Sequence, residues 1–197
     1  MMNKRLKQGS TFLLAVALTF PLLTLPGAKA ANAIDTDAEC SIQFDIGGNS
    51  SELLSASIPV NLYKVASVDV SGNYTATGTF AKLDLSSVSA DNLDTAAATW
   101  SERAAEAKKL LKDDTEPTTT VTLTQGRGTA TGLDTGLYLV DTPKVITPNY
   151  TYTFTPYLVS LLTNNYYSGN GASDDWIYDL TKEYNSAVGL KPEQHVR

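Results

Sequence analysis

One cysteine, one histidine and a shortage of basic residues limit what this 197-residue chain can do. The lone Cys40 excludes an internal disulfide framework, and the lone His195 excludes every catalytic or metal site that needs two imidazoles. Basic residues number 15 against 21 acidic ones. Four of the 15 (Lys4, Arg5, Lys7 and Lys29) fall in the first 30 residues, where no acid occurs, so the remainder holds 11 against 21 and a net charge of −10. That sign disfavours nonspecific binding to nucleic acid or to an anionic membrane. No Gly-x-Ser-x-Gly elbow occurs, and Gly126-Arg127-Gly128 lacks the third glycine and the strand-to-helix setting of a nucleotide loop. His195 stands beside the C-terminus, where fraying is expected, so a Ser-His-Asp triad finds no support. Asp113-Asp114 and Asp174-Asp175 are acid pairs in polar stretches and read as solvated faces, without the spacing of a calcium loop. The expectation is a non-enzymatic protein with no metal and no cofactor.

Long apolar runs are also scarce. Phe12 to Leu25 is the one such stretch, broken by Thr19, Pro21 and Thr24 and too short for a stable membrane anchor. Lys4, Arg5 and Lys7 precede it, and Ala28-Lys29-Ala30 follows as a small-x-small cleavage site, with Ala31-Asn32-Ala33 a second one. Residues 1–30 therefore read as a removable export signal, with no membrane insertion after its removal. Cys40 lies beyond Asp35, Asp37 and Glu39, too far from the apolar run for a lipid-anchored reading. It reads as a small buried apolar residue, and an intermolecular thiol is the alternative.

What is present is alternation. Ser41 to Ile46, Ile58 to Val65, Thr151 to Thr155 and Trp176 to Leu180 read as strands, with Tyr150, Tyr152 and Phe154 on one face. Leu137-Tyr138-Leu139-Val140 and Tyr157 to Leu161 are nearly continuous apolar runs, as in strands covered on both sides. Ser71-Gly72-Asn73 marks a hairpin turn. Between the β regions the period changes. Leu93, Ala97, Trp100, Ala104, Ala107 and Leu111 form one helical stripe, with Asp91 or Asn92 as cap and Lys108, Lys109 and Lys112 near its negative end. The stripe predicts packing against a sheet. Thr115 to Thr120, with Pro117, returns the chain to extended structure. Asn73-Tyr74-Thr75 and Asn149-Tyr150-Thr151 match a glycosylation acceptor pattern, and Tyr166-Tyr167 sits in a polar loop suited to a contact surface. The fold expected is mainly β, an immunoglobulin-like sandwich of about seven to eight strands with one helical insertion at about residues 91–112.

The leader, Ile58 to Ala66, Gly132 to Val140, Phe154 to Leu161 and Trp176 to Thr181, in that order and spacing, give the chain its resemblance to a family. It resembles the N-terminal domain of sortase-assembled pilins of Gram-positive bacteria, relatives of the SpaA-like, Cna-B-type surface proteins. The resemblance implies a signal peptide at 1–30, a sandwich domain at 31–188 and a linker stub at 189–197 leading toward a further domain of a longer protein. It implies an extracellular or cell-wall location, with other pilin subunits and a pilus sortase as partners. In that family a sortase joins the threonine of one subunit's sorting signal to a lysine amine of the next. The matching place here is Val188 to Glu193, which makes Lys191 the candidate acceptor, although proline follows the lysine rather than preceding it. Relatives also carry an internal Lys–Asn bond promoted by an acid. The first strand here has no lysine; Lys64 is the one alternative amine in an early strand, Asp141 stands near the acid's place with no reaction to promote, and the domain is expected to rely on ordinary packing. The chain ends at Gln194-His195-Val196-Arg197 without a sorting signal, and so reads as the first domain of a longer surface protein. The alternative is a freely secreted module that recognises a host or matrix ligand.

Overall fold

Side-chain alternation sets the strands, and the strands sort themselves by which face they bury. The computed structural model describes residues 33–47, 51–88, 97–164, 175–181, 188–190 and 192–197, all within one unit, Ala31–Arg197. Strand β1 (Glu39–Asp45) turns Cys40, Ile42 and Phe44 inward, none more than 1% exposed. After a short helix, α1 (Ser51–Ser55), come the eleven-residue strand β2 (Ile58–Val68) and β3 (Tyr74–Ala76). A 3-10 turn at Gly78–Phe80 and helix α2 (Ala97–Leu110) follow. Next are β4 (Thr119–Leu123), β5 (Arg127–Asp134), β6 (Gly136–Asp141), β7 (Val145–Ile146), β8 (Tyr150–Phe154) and β9 (Tyr157–Leu161). The described residues finish with β10 (Thr163–Asn164), β11 (Trp176–Ile177), β12 (Val188–Gly189) and β13 (Pro192–Val196). Of these thirteen stretches eight are five residues or longer, which agrees with the strand count expected from the pattern.

Strand β2 is the axis of the main sheet. It pairs antiparallel with β6 along one side and with β4 and β3 along the other, and β9 lies beyond β6. A second sheet has β1 between β5, antiparallel, and β12, parallel. One face of the main sheet meets this second sheet. There Ile58, Val60 and Leu62 of β2 join Leu123 of β4, Tyr138 and Val140 of β6 and Ile42 and Phe44 of β1 in one core. The other face carries Tyr63, Val65, Leu137, Leu139 and Leu158 and is covered by α2 through Ala104 and Ala107, both 0% exposed. Small side chains at those two positions let the helix axis approach the sheet. Each fully buried Leu, Val or Phe contributes roughly 1.5–3 kcal/mol through removal from water. Every residue of β6 is buried, which explains its unbroken apolar run. The architecture is therefore a mainly β sandwich of two facing sheets, antiparallel but for the β1–β12 pair, with β7, β8 and β13 in a further three-stranded sheet and a helix on the outer face.

The chain passes between the two sheets through a tight hairpin from β4 to β5. Thr124 and Arg127 exchange backbone hydrogen bonds of 2.9 and 3.1 Å, and Gln125 and Gly126 have φ of 52° and 79°. Two successive positive φ values are the signature of a type I′ turn. A Cβ on Gly126 would also sit 2.6 Å from Leu54 Cδ2. At the start of β6, Gly136 has φ of 147° and a Cβ there would lie 2.4 Å from the Ala66 carbonyl oxygen, beside the bulge between Lys64 and Ala66.

Three regions depart from the sequence expectation. The strand read at Trp176 to Leu180 is confined to β11, Trp176–Ile177, followed by an isolated bridge from Asp179 to Ser41. Arg127 to Asp134 is not among the stretches marked by alternation, yet it forms the eight-residue strand β5 with Ala130 and Leu133 inward. Residues 189–197, expected as a linker stub, contain strand β13, which pairs with β8 from Pro192↔Phe154 to Val196↔Tyr150. His195 is accordingly a strand residue opposite Thr151, not part of a frayed end. Burial gave no cue, because Glu193 to Val196 are all exposed and the strand is held by its backbone. The helix lies inside the expected 91–112, while the candidate caps Asp91 and Asn92 are outside the described residues.

Candidate functional site

The candidate acceptor Lys191 lies outside the described residues, but both of its neighbours are placed. Leu190 is 4% exposed in the sandwich core, and its N–H donates to the Asp45 carbonyl at 3.0 Å. Pro192 opens β13, a position that needs no N–H donor. The two flanks thus belong to different sheets, Leu190 following β12 beside β1 and Pro192 beginning β13 beside β8.

Lys64 and Asp141 are not brought together. Lys64 stands opposite Tyr138, whose side chain is in the sandwich core, and its Nζ pairs with Asp134 Oδ2 at 2.8 Å at the end of β5. Asp141 stands opposite Asn61 and meets Lys108 Nζ of α2 at 2.5 Å, on the helix side. The amine and the acid therefore face opposite sides of the main sheet, each with a partner of its own. This pair has no geometry for an internal cross-link.

Near Lys64 are two groups with raised titration, Cys40 and Tyr138. Burial pushes the Cys40 thiol up to about 12, with the Asp134 charge adding to the rise and Lys64 opposing it. The thiol donates to the Leu161 carbonyl at 3.2 Å. At neutral pH it is a protonated, inaccessible group, as the buried apolar reading of Cys40 requires. Tyr138 donates its hydroxyl to the Asp134 carbonyl at 3.0 Å, and burial followed by the Asp134 charge raises its phenol well above the usual range. No nucleophile is activated here.

A cluster that the sequence pattern did not signal joins α1 to the turn between β7 and β8. Glu52 accepts from the Thr147 hydroxyl and from Asn149 Nδ2, and these two bonds, in that order, hold its carboxyl below the usual range. Arg197 donates from its backbone to the Asn149 carbonyl and from Nη1 to the Thr147 carbonyl, each at 3.2 Å. Beside the cluster an open groove of about 410 Å³ runs between Ser51, Glu52 and Ser55 on one side and Ile146 to Pro148 on the other. The carboxylate's bonds fasten a turn. Residues that are far apart in sequence, 52, 147, 149 and 197, cannot announce such a cluster by spacing.

Both acceptor-pattern asparagines use their side-chain amides internally, Asn73 toward Asp69 at 3.0 Å and Asn149 toward Glu52. Asp113 and Asp114 are exposed, as is Asp175, while Asp174, Tyr166 and Tyr167 lie outside the described residues. Among the described residues no group of three or more His, Cys, Asp or Glu is placed to hold a metal ion. His195 Nε2 lies 3.3 Å from Thr153 Oγ1 on an exposed sheet face. Among those residues no helix is long and apolar enough to cross a membrane.

No family model and no curated protein matches the chain. Among solved structures it is similar to the full-length major pilin SpaD from Corynebacterium diphtheriae, with 20% identity and a TM-score of 0.43 over 83% of this chain. It is also similar to the pilus backbone RrgB from Streptococcus pneumoniae, with 16% identity and a TM-score of 0.35 over 78% of this chain. The chain spans 32% of the first and 41% of the second.

Proposed function

We propose that this chain is an exported, non-enzymatic structural domain of a cell-surface fibre, a pilus or adhesin subunit. The supporting observation is where the family-like blocks fall. Ile58 to Ala66 lies within β2, Gly132 to Val140 ends in β6 and Phe154 to Leu161 ends in β9, and these three strands are neighbours in one sheet. What resembles the pilin domains is thus the main sheet itself. Lys191 is the acceptor amine in this reading. Its deprotonated Nζ attacks the acyl thioester held by the sortase, an amide forms and the enzyme's thiolate leaves. An exposed lysine is mostly protonated at neutral pH, so the enzyme supplies the base.

The test is a denaturing gel of wall extracts from the producing cell, probed for this domain. A high-mass ladder that survives boiling and disappears with Lys191→Ala is the expected result. A ladder unaffected by that change keeps the fibre and removes Lys191 from it. A single band at the monomer mass overturns the polymer reading in favour of a freely secreted binding module.

A further inference from the structure

The sheet that contains β13 has a short margin and a long one. Its strand order is β13-β8-β7, and β7 spans two residues where β13 spans five. The ladder fixes which way the backbone of β13 points. Arg197 N–H donates to the Asn149 carbonyl at 3.2 Å, continuing the register of Val196↔Tyr150 by one residue. Hydrogen-bonded pairs alternate with unbonded ones in an antiparallel ladder, so Glu193, His195 and Arg197 turn their backbone groups toward β8. The other side of β8 agrees. Thr147 N–H donates to the Tyr150 carbonyl at 2.9 Å, so Tyr150, the residue opposite Val196, directs its backbone to β7. Gln194 and Val196 therefore present N–H and C=O outward along the margin, and Pro192 presents a carbonyl alone.

The side chains divide in the same way. Gln194 and Val196 share the face of the buried Tyr152, while Glu193 and His195 share the opposite face, where His195 Nε2 lies beside Thr153 Oγ1. Glu193 to Arg197 are all exposed, Val196 to 84%. Among the described residues Glu193 makes no ion pair. Arg197 donates from Nη1 to the Thr147 carbonyl and has further N–H donors on the same guanidinium. A margin of this kind is a template for another strand. A second copy of β13, antiparallel and centred on His195, matches it in backbone and in charge. Gln194 of each copy faces Val196 of the other, so the outward N–H and C=O groups exchange hydrogen bonds at both ends. Glu193 of each copy faces Arg197 of the other, an opposite-charge pair that the symmetry forms twice. Centring the strands on Gln194 loses both charge pairs and puts Pro192, without an N–H, at a hydrogen-bonding position.

We propose that β13 is a self-association edge, at which two copies of this chain join their sheets through an antiparallel β13–β13 pair centred on His195. The proposal does not rest on the fibre reading. The test is disulfide trapping in the purified chain carrying His195→Cys. Residues opposed at an unbonded antiparallel position have Cα atoms about 4.5 Å apart, within reach of a disulfide. Mild oxidation should therefore give a covalent dimer. Gln194→Cys, with its counterpart on the diagonal at about 7–8 Å, should stay monomeric. Cys40 is 1% exposed and does not compete. A dimer from Gln194→Cys and none from His195→Cys overturns the register. No dimer from either, or equal yields from both as random collision gives, overturns the association. In the His195→Cys background, Glu193→Arg alone and Arg197→Glu alone each set like charges opposite one another and should slow trapping about tenfold. A mixture of the two variants should recover the rate as a mixed dimer, because each arginine then faces a glutamate. That recovery separates the charge pair from the Arg197 bond to Thr147, and its absence overturns the pairing of Glu193 with Arg197.

Discussion

The main sheet has two covered faces, and they are covered by different means. On the sandwich side, Val60 and Leu62 of β2 belong to the same core as Ile42 and Phe44 of β1, Leu123 of β4 and Tyr138 of β6, and the two sheets that carry them are joined by the hydrogen-bonded β4–β5 hairpin. On the outer side α2 covers the sheet through Ala104, Ala107 and Trp100, together with Phe80, Leu83, Leu85 and Val88 of the segment before it, and Lys108 pairs with Asp141 between helix and strand. The first cover is part of the hydrogen-bonded framework, while the second is an attached element. Loss of a contact on the sandwich side should therefore be felt everywhere, and loss on the helix side should remain local.

The largest expected effect comes from breaking the shared core. Phe44→Ala should cost about 4 kcal/mol, read from urea unfolding, and should lower hydrogen-exchange protection in β1, β2, β5 and β6 together. Protection lost in β1 alone would mean that the two sheets are less coupled than the shared core implies. A smaller effect, about 2 kcal/mol, is expected for Ala107→Asp, which sets a charge against the sheet. Exchange in 97–110 should rise while β1 and β5 stay protected. A uniform loss across the domain would remove the distinction between the faces.

Alkaline pH tests the sandwich core without large changes of shape. The Cys40 thiol is raised from about 9 to about 12 in the folded chain, so its contribution is fully present below pH 9. Between about 9 and 12 the unfolded thiol ionises while the folded one does not, and stability falls by at most about 1.4 kcal/mol per pH unit. Tyr138 and Tyr157, both raised mainly by burial, add the same sign of change once the pH passes the ordinary phenol range. Cys40→Ala should flatten the melting curve between pH 9 and 10, and an unchanged slope would assign it to other groups. The smallest effect has the opposite sign. The Thr142 hydroxyl is buried without a hydrogen-bond partner, so Thr142→Val should be neutral or stabilising by up to about 1 kcal/mol in thermal melts. Clear destabilisation would show that the hydroxyl is solvated.

The strands with strict alternation were legible because burial on one face repeats every second residue. Ile58, Val60 and Leu62 enter the sandwich core, and Tyr152 is buried with Tyr150 and Phe154 beside it. The helix stripe was legible for the same reason at a different period, and its buried Ala104 and Ala107 meet the sheet as the pattern required. Strand β5 was not, because its threonines and glycines carry weak propensity and only Ala130 and Leu133 face inward. Nor was β13, whose exposed side chains obey no period and whose pairing is a property of the β8 edge. At the candidate site, a family pattern singled out position 191, while its flanks were placed by Leu190 burial and by pairing with β8.

By itself the sequence determined what this protein cannot be built around, through one cysteine and one histidine, and which residues must leave water, through their spacing. Those are properties of composition and local period, and they survive in any fold the chain adopts. Tertiary structure alone decided which charges meet. Lys64 faces Asp134 and Asp141 faces Lys108 because adjacent side chains on a strand point to opposite faces. It also decided that Glu52, Thr147, Asn149 and Arg197 share one corner and that Ile34 packs with Val68 and Leu162. Contacts between residues distant in sequence depend on sheet order and register, and no local pattern encodes these.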